Sequence, residues 1–113
     1  MEETGQRSIE WAAGLFEGEG WLSHCANDSW KMAIDMTDPD VMWDWYIAIG
    51  CIGHLGGLYK RPSSAEHHKP SMEWRTGKRD TIYELVKMLY PYMGMRRKEK
   101  MTEFLTWYQE KQK

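Results

Sequence analysis

From Trp30 to Thr37 the chain alternates without a break. Trp30, Met32, Ile34 and Met36 fall on one side of an extended strand; Lys31, Ala33, Asp35 and Thr37 fall on the other. A strand of this kind buries one face and wets the other, so it needs an antiparallel sheet with a second layer on its apolar side only. The flanking segments supply both. Trp21 to Ala26 reads as a short strand, and Asn27-Asp28 as the turn that folds it back. Asp38 and Pro39 suit the N-cap and first position of a helix running through Val41, Met42, Trp45, Ile47 and Ile49 to Gly50. Gly56-Gly57 leads into a strand around Leu58 to Arg61, and the polar loop "PSSAEHHKP" separates it from another at Ser71 to Thr76. Thr81 to Glu84, "TIYE", has the form of a capping box before Leu85, Val86 and Leu89, with a stop near Pro91. A helix over Ser8 to Glu17, closed by Gly18 and Gly20, and a last helix over Arg97 to Glu110 complete the order α-β-β-α-β-β-α-α. The expected architecture is α+β: one domain over residues 1–113, two hairpins in a four-stranded antiparallel sheet, helices on one face.

The charge is unevenly spread. Residues 1–56 hold ten Asp and Glu against two Lys and Arg, a balance of −8; residues 57–113 hold seven against thirteen, a balance of +6. The net charge of −2 argues against nucleic acid as a partner, but a chain polarised this way can still present one basic face. No apolar run approaches the ~18 residues of a membrane span. The polar, acidic "MEETGQRS" is no secretory signal, and Cys25 and Cys51 read as reduced thiols, so an intracellular protein is expected.

One stretch breaks the local rules. In "WAAGLFEGEG", Trp11 to Gly20, two carboxylates sit at the C-terminal end of a helix, where the backbone dipole is negative and an acid costs a few tenths of a kcal/mol. Gly14 and Gly18 are four residues apart and flank small alanines. Such a stripe lets two helix backbones approach closely.

Ala12 to Gly20, "AAGLFEGEG", resembles the signature of the LAGLIDADG homing endonucleases: Ala13, Gly14 and Leu15 match its A-G-L, and Glu17, Gly18, Glu19 and Gly20 its acid-x-acid-G end. "MTDPDVMWDW" is similar to the family's strand-to-helix junction, and "LYPYMGMRRKEKMTEFL" to its basic segment before a late helix. Ala12 departs from the usual leucine, and both acids are Glu rather than Asp. A single motif implies a homodimer, with Ala13, Gly14, Glu17 and Gly18 at the two-fold interface and the two Glu19 carboxylates meeting on one floor.

The resemblance further implies double-stranded DNA as partner and Mg²⁺ (or Mn²⁺) as cofactor. Glu19 and the Gly18 carbonyl would hold the metal, Glu17 being structural. Asp38 would organise water, although an N-cap role also accounts for it. Arg96 would face the scissile phosphate, with Arg97 and Lys98 as neighbours open to the same role and to contact with DNA. The sheet would read the major groove through Lys31, Asp35, Lys60, Arg61, Glu73, Arg75, Lys78 and Arg79, Arg61 and Arg75 being candidates for bidentate contacts to guanine. For the first strand, either Ser23 and Cys25 or His24 faces DNA. A zinc set drawn from His24-Cys25, Cys51-x-x-His54 and His67-His68 is the competing metal reading, with only one tidy spacing. A silent nucleic-acid binder and a protein-binding module are the competing functions.

Overall fold

A computed structural model describes residues 7–56 and 71–112. Helix α1 spans Ile9–Glu19 and runs directly into strand β1, Gly20–His24; β2 is Trp30–Met36, α2 is Pro39–Ala48, β3 is His54–Leu55 and β4 is Met72–Thr76. Helix α3, Arg79–Leu89, is followed by a 3₁₀ turn at Tyr90–Tyr92 and by α4, Met95–Lys111. The sheet is antiparallel throughout, in the order β1-β2-β4-β3. The expected strand at Leu58 to Arg61 lies outside the described residues.

Local signals place most of these elements. Ser8 caps α1, its hydroxyl accepting from the Trp11 N–H at 3.0 Å. The end of α2 is a Schellman turn: Gly50, at φ 89°, sits in the left-handed region, while the Cys51 N–H reaches the Tyr46 carbonyl and the Gly50 N–H the Ile47 carbonyl. Two expectations are corrected. Helix α1 continues through Gly18 to Glu19 instead of stopping at Glu17, because Gly18 keeps helical geometry and the chain turns only at Gly20. The capping box at Thr81 does not form. Helix α3 begins two residues earlier, at Arg79, after the Thr76 hydroxyl has accepted from the Lys78 N–H at 3.2 Å.

Trp30, Met32 and Ile34 point with Leu22, Met72 and Trp74 into the layer beneath the helices, where Phe16, Met42, Trp45, Ile82, Leu85, Val86, Leu89 and Phe104 complete the core. Trp45 lies between Phe16, at 6.1 Å between ring centroids, and Trp74, at 5.2 Å. The Trp74 indole N–H donates to the Ile52 carbonyl at 2.8 Å. Gly53 passes over that ring at φ 83°, and a Cβ there would come 2.5 Å from the indole nitrogen. Gly53→Ala therefore combines left-handed strain with overpacking. It is expected to cost about 1–3 kcal/mol, read from the urea midpoint at constant slope.

The far end of α4 is fastened to the β1–β2 turn by Asp28. Its carboxylate accepts from Trp107 Nε1 at 3.0 Å, pairs with Lys111 at 2.8 Å and bonds His24 Nε2 at 2.7 Å. Lys111 and these hydrogen bonds hold the Asp28 pKa at about 2, below the ordinary 3.8. A depressed carboxyl pKa stabilises the fold above about pH 4, and that contribution is lost as pH falls through 2. Asp28 sits at φ 60°, a conformation Asn tolerates, so Asp28→Asn isolates the charge. It is expected to lower the thermal midpoint at neutral pH, with the gap to wild type narrowing between pH 4 and 2 in melts followed by circular dichroism. Among the described residues no helix is long and apolar enough to cross a membrane.

Candidate functional site

Among the described residues, no helix covers the sheet's other face. Register fixes who stands there: Trp21 opposite Ala33, Ser23 opposite Lys31, Ala33 opposite Arg75, Asp35 opposite Glu73 and His54 opposite Arg75. This settles the first strand. Ser23 lies on the open face, and Cys25 adjoins it in a small hollow with Lys31 and Arg75. His24 belongs to the helical side, stacked on Trp30 at 4.7 Å. Trp21, 37% exposed, and His54 also stand on the open face. Sequence reading placed neither there: with Trp21 and Leu22 both apolar, only the pairing of Leu22 with Met32 turns Trp21 outward.

The open face is of mixed charge. Arg75 is already paired with Glu73 at 2.9 Å, and one Asp35 oxygen is buried with no hydrogen-bond partner. The directly opposed carboxylates of Asp35 and Glu73 repel each other in the isolated chain. Lys78 and Arg79 lie past the end of β4, as the N-cap and first residue of α3, with Lys78 in one hollow with His54 and Arg75. Lys60 and Arg61 lie outside the described residues.

The motif helix delivers its residues to different places. Glu17 and Glu19 are about 200° apart around the axis, so the two acids diverge. Glu17 turns towards its own chain, its carboxylate accepting from the Gly94 N–H at 2.8 Å, which corrects its expected place at a dimer interface. Glu19 is exposed, and no side chain among the described residues bonds to it. Gly14 and Gly18 are also exposed, and a Cβ built on either meets nothing within 4 Å. Ala13 is corrected: it is wholly buried in the chain's own core and has no surface for a partner helix. Gly20 is glycine for a steric reason, since a Cβ there would lie 2.2 Å from the Phe16 ring.

Asp38 holds the N-cap position of α2, yet its side chain makes no capping hydrogen bond. The N-cap explanation of this residue therefore fails, and the exposed carboxylate faces solvent. The three cations at the start of α4 separate cleanly. Arg97 donates to the Glu17 carbonyl at 3.2 Å and lies over the Phe16 ring at 5.3 Å, so it is corrected from a DNA contact to an internal tie. Lys98 lies over Tyr90 at 5.2 Å, and Arg96 is exposed.

Among the described residues no three His, Cys, Asp or Glu side chains converge to hold a metal. For the zinc reading, His24 is engaged by Asp28 and Trp30, and His67 and His68 lie outside the described residues. What the motif offers instead is hard oxygen, an exposed carboxylate at Glu19 beside the Gly18 backbone, which is the donor chemistry Mg²⁺ takes. A concavity of about 920 Å³ lies on the helical side, between α4 and the His24–Trp30 corner; Lys98 lines it, and neither Gly18 nor Glu19 does.

An α-β-β-α-β-β-α-α chain with one bare sheet face and an acid-tipped, glycine-faced helix has the fold of the LAGLIDADG homing endonucleases. The homing endonuclease I-TnaI superposes with a TM-score of 0.60 at 18% identity, over 89% of this chain and 71% of its own. The intron-encoded homing endonuclease I-CeuI, solved with DNA, gives 0.62 at 13% identity over 94% of this chain and 56% of its own. The LAGLIDADG homing endonuclease I-GzeII, solved with its DNA target, gives 0.62 at 19% identity over 96% and 36%. Neither a family model nor a curated protein matches the sequence.

Proposed function

We propose that this chain is a DNA endonuclease that acts as a homodimer on a long, nearly palindromic duplex. One observation carries the reading. Glu19, at the end of α1 and without a side-chain partner among the described residues, adjoins the exposed Gly14 and Gly18 and the junction with the four-stranded sheet. Homing endonucleases, several solved with DNA, share this fold, and the resemblance of the motif points the same way.

In this reading two copies of α1 pack along their glycine faces and bring two Glu19 carboxylates to the dyad. Glu19 and the Gly18 carbonyl hold Mg²⁺ (or Mn²⁺), which when bound supplies a Lewis acid at the scissile phosphate and a more acidic water. Asp38, free of capping duty, accepts from and orients water at the cleft. Arg96 places a cation against phosphate charge as it develops. Lys31 and Arg75 donate to base edges from the sheet, and Asp35 and Glu73 accept from the cytosine amino group. DNA thereby gives Arg75 a guanine in place of Glu73, and the Asp35–Glu73 repulsion finds donors.

The test is selection from a randomised duplex library with Mg²⁺, collecting cleaved ends and bound duplexes separately. Cleaved ends carrying one pseudo-palindromic consensus are the expected result. Enrichment by binding without cut ends would replace the nuclease with a silent reader. No enrichment, and no fall of binding with salt, would leave a protein-binding module.

A further inference from the structure

Two features of this chain stand at the wrong ends of helices. Glu17 and Glu19 lie at the C-terminus of α1, and Arg96, Arg97 and Lys98 lie in the first turn of α4, which contains no acid. Each is unfavourable against its own helix dipole. The fold places one end against the other. The Glu17 carboxylate holds the N–H of Gly94, the N-cap of α4, which has no side chain to cap with. Arg97 returns the contact by donating to the Glu17 carbonyl, one of the orphan acceptors at the end of α1. Its guanidinium also lies over Phe16, one residue earlier. The acid supplies the negative charge that the start of α4 lacks, and the cation supplies the positive charge that the end of α1 lacks.

Arg96 lies between the two tie points, Gly94 and Arg97, and is itself exposed. Glu19 lies two residues beyond Glu17. From this geometry we infer that Glu17 and Arg97 are positioning residues, a clasp that sets where Arg96 stands relative to Glu19. The inference rests on the endonuclease reading. The clasp links the metal-holding end of α1 to the phosphate-facing turn of α4 through the protein itself.

The test is a double-mutant cycle on single-turnover cleavage of the selected duplex, with binding measured separately in Ca²⁺. Glu17→Ala is expected to slow cleavage on the order of tenfold to a hundredfold, with duplex affinity changed less than about threefold. Glu17→Gln keeps an oxygen for the Gly94 N–H and is expected to recover most of the rate. Glu17→Ala added to Arg96→Ala is expected to cost nothing further, because the clasp acts through Arg96. A merely structural loss would add to the Arg96 effect and would weaken binding equally. Should Glu17→Ala not fold, Arg97→Lys replaces it in the cycle with the same expected pattern, since an ammonium cannot serve both the Glu17 carbonyl and the Phe16 face. Additive losses, or wild-type cleavage by the clasp variants, overturn the clasp alone. A wild type that cleaves no duplex overturns the endonuclease reading and the clasp with it.

Discussion

Glu19→Gln should lower the cleavage rate by on the order of 10³-fold or more while leaving affinity for the duplex within a few fold. The substitution keeps size and shape, and no side chain among the described residues bonds to Glu19, so nothing in the fold is lost with its charge. The thermal midpoint should be unchanged or slightly raised, since a negative charge leaves the negative end of α1. Those two signs together make the result diagnostic: an acid retained for stability would give the opposite pair. Cleavage by Glu19→Gln at the wild-type rate would remove Glu19 from the chemistry, whatever the protein does to DNA.

Placing alanine at both Gly14 and Gly18 should divide the protein's two kinds of stability. In the single chain a Cβ at either position meets nothing within 4 Å. Alanine is the better helix former there by up to about 1 kcal/mol per site. The folded monomer should therefore gain stability. The proposed homodimer should lose it, because in that arrangement two helix backbones meet across these faces and leave no room for four added methyl groups. Sedimentation equilibrium should show dimer association weakened by about a hundredfold or more, and cleavage should fall in parallel as the two Glu19 carboxylates part. An unchanged dimer would locate the two-fold contact elsewhere on the surface. Ala13 offers no equivalent test, since it is already enclosed in the core.

The residues that could be read from sequence are those whose cause is local. The alternation from Trp30 to Thr37 identified the central strand, which ends at Met36; Met32 and Ile34 are wholly buried as expected, but so is Ala33 on the opposite face, between Trp21 and Arg75. Pro39 marked the start of α2, because its fixed φ suits the first helical position whether or not Asp38 caps it, and Ser8 marked the start of α1, where its hydroxyl does cap. Thr81 misled because a capping box is only one way to begin a helix, and Thr76, five residues upstream, had already arranged the turn. The parity of β1 was undecidable within Trp21 to Ala26, since Trp21 and Leu22 are both apolar. Pairing with β2 decided it by sending Leu22 inward beside Met32.

The sequence by itself determined the element order, the one-sided sheet, and the presence of two acids that their own helix does not favour. It did so because periodicity, caps and dipoles act over a single turn or a few strand residues. Only the tertiary structure separated those acids. Glu17 is taken up by the start of α4, seventy-seven residues away at Gly94, while Glu19 is left facing solvent. It likewise chose among the three cations, withdrawing Arg97 onto Glu17 and Phe16 and leaving Arg96 exposed. These choices depend on which helix ends meet in space. Whether a charge at a helix end is a cost or a contact is fixed by what lies against it, and that is a property of the folded chain.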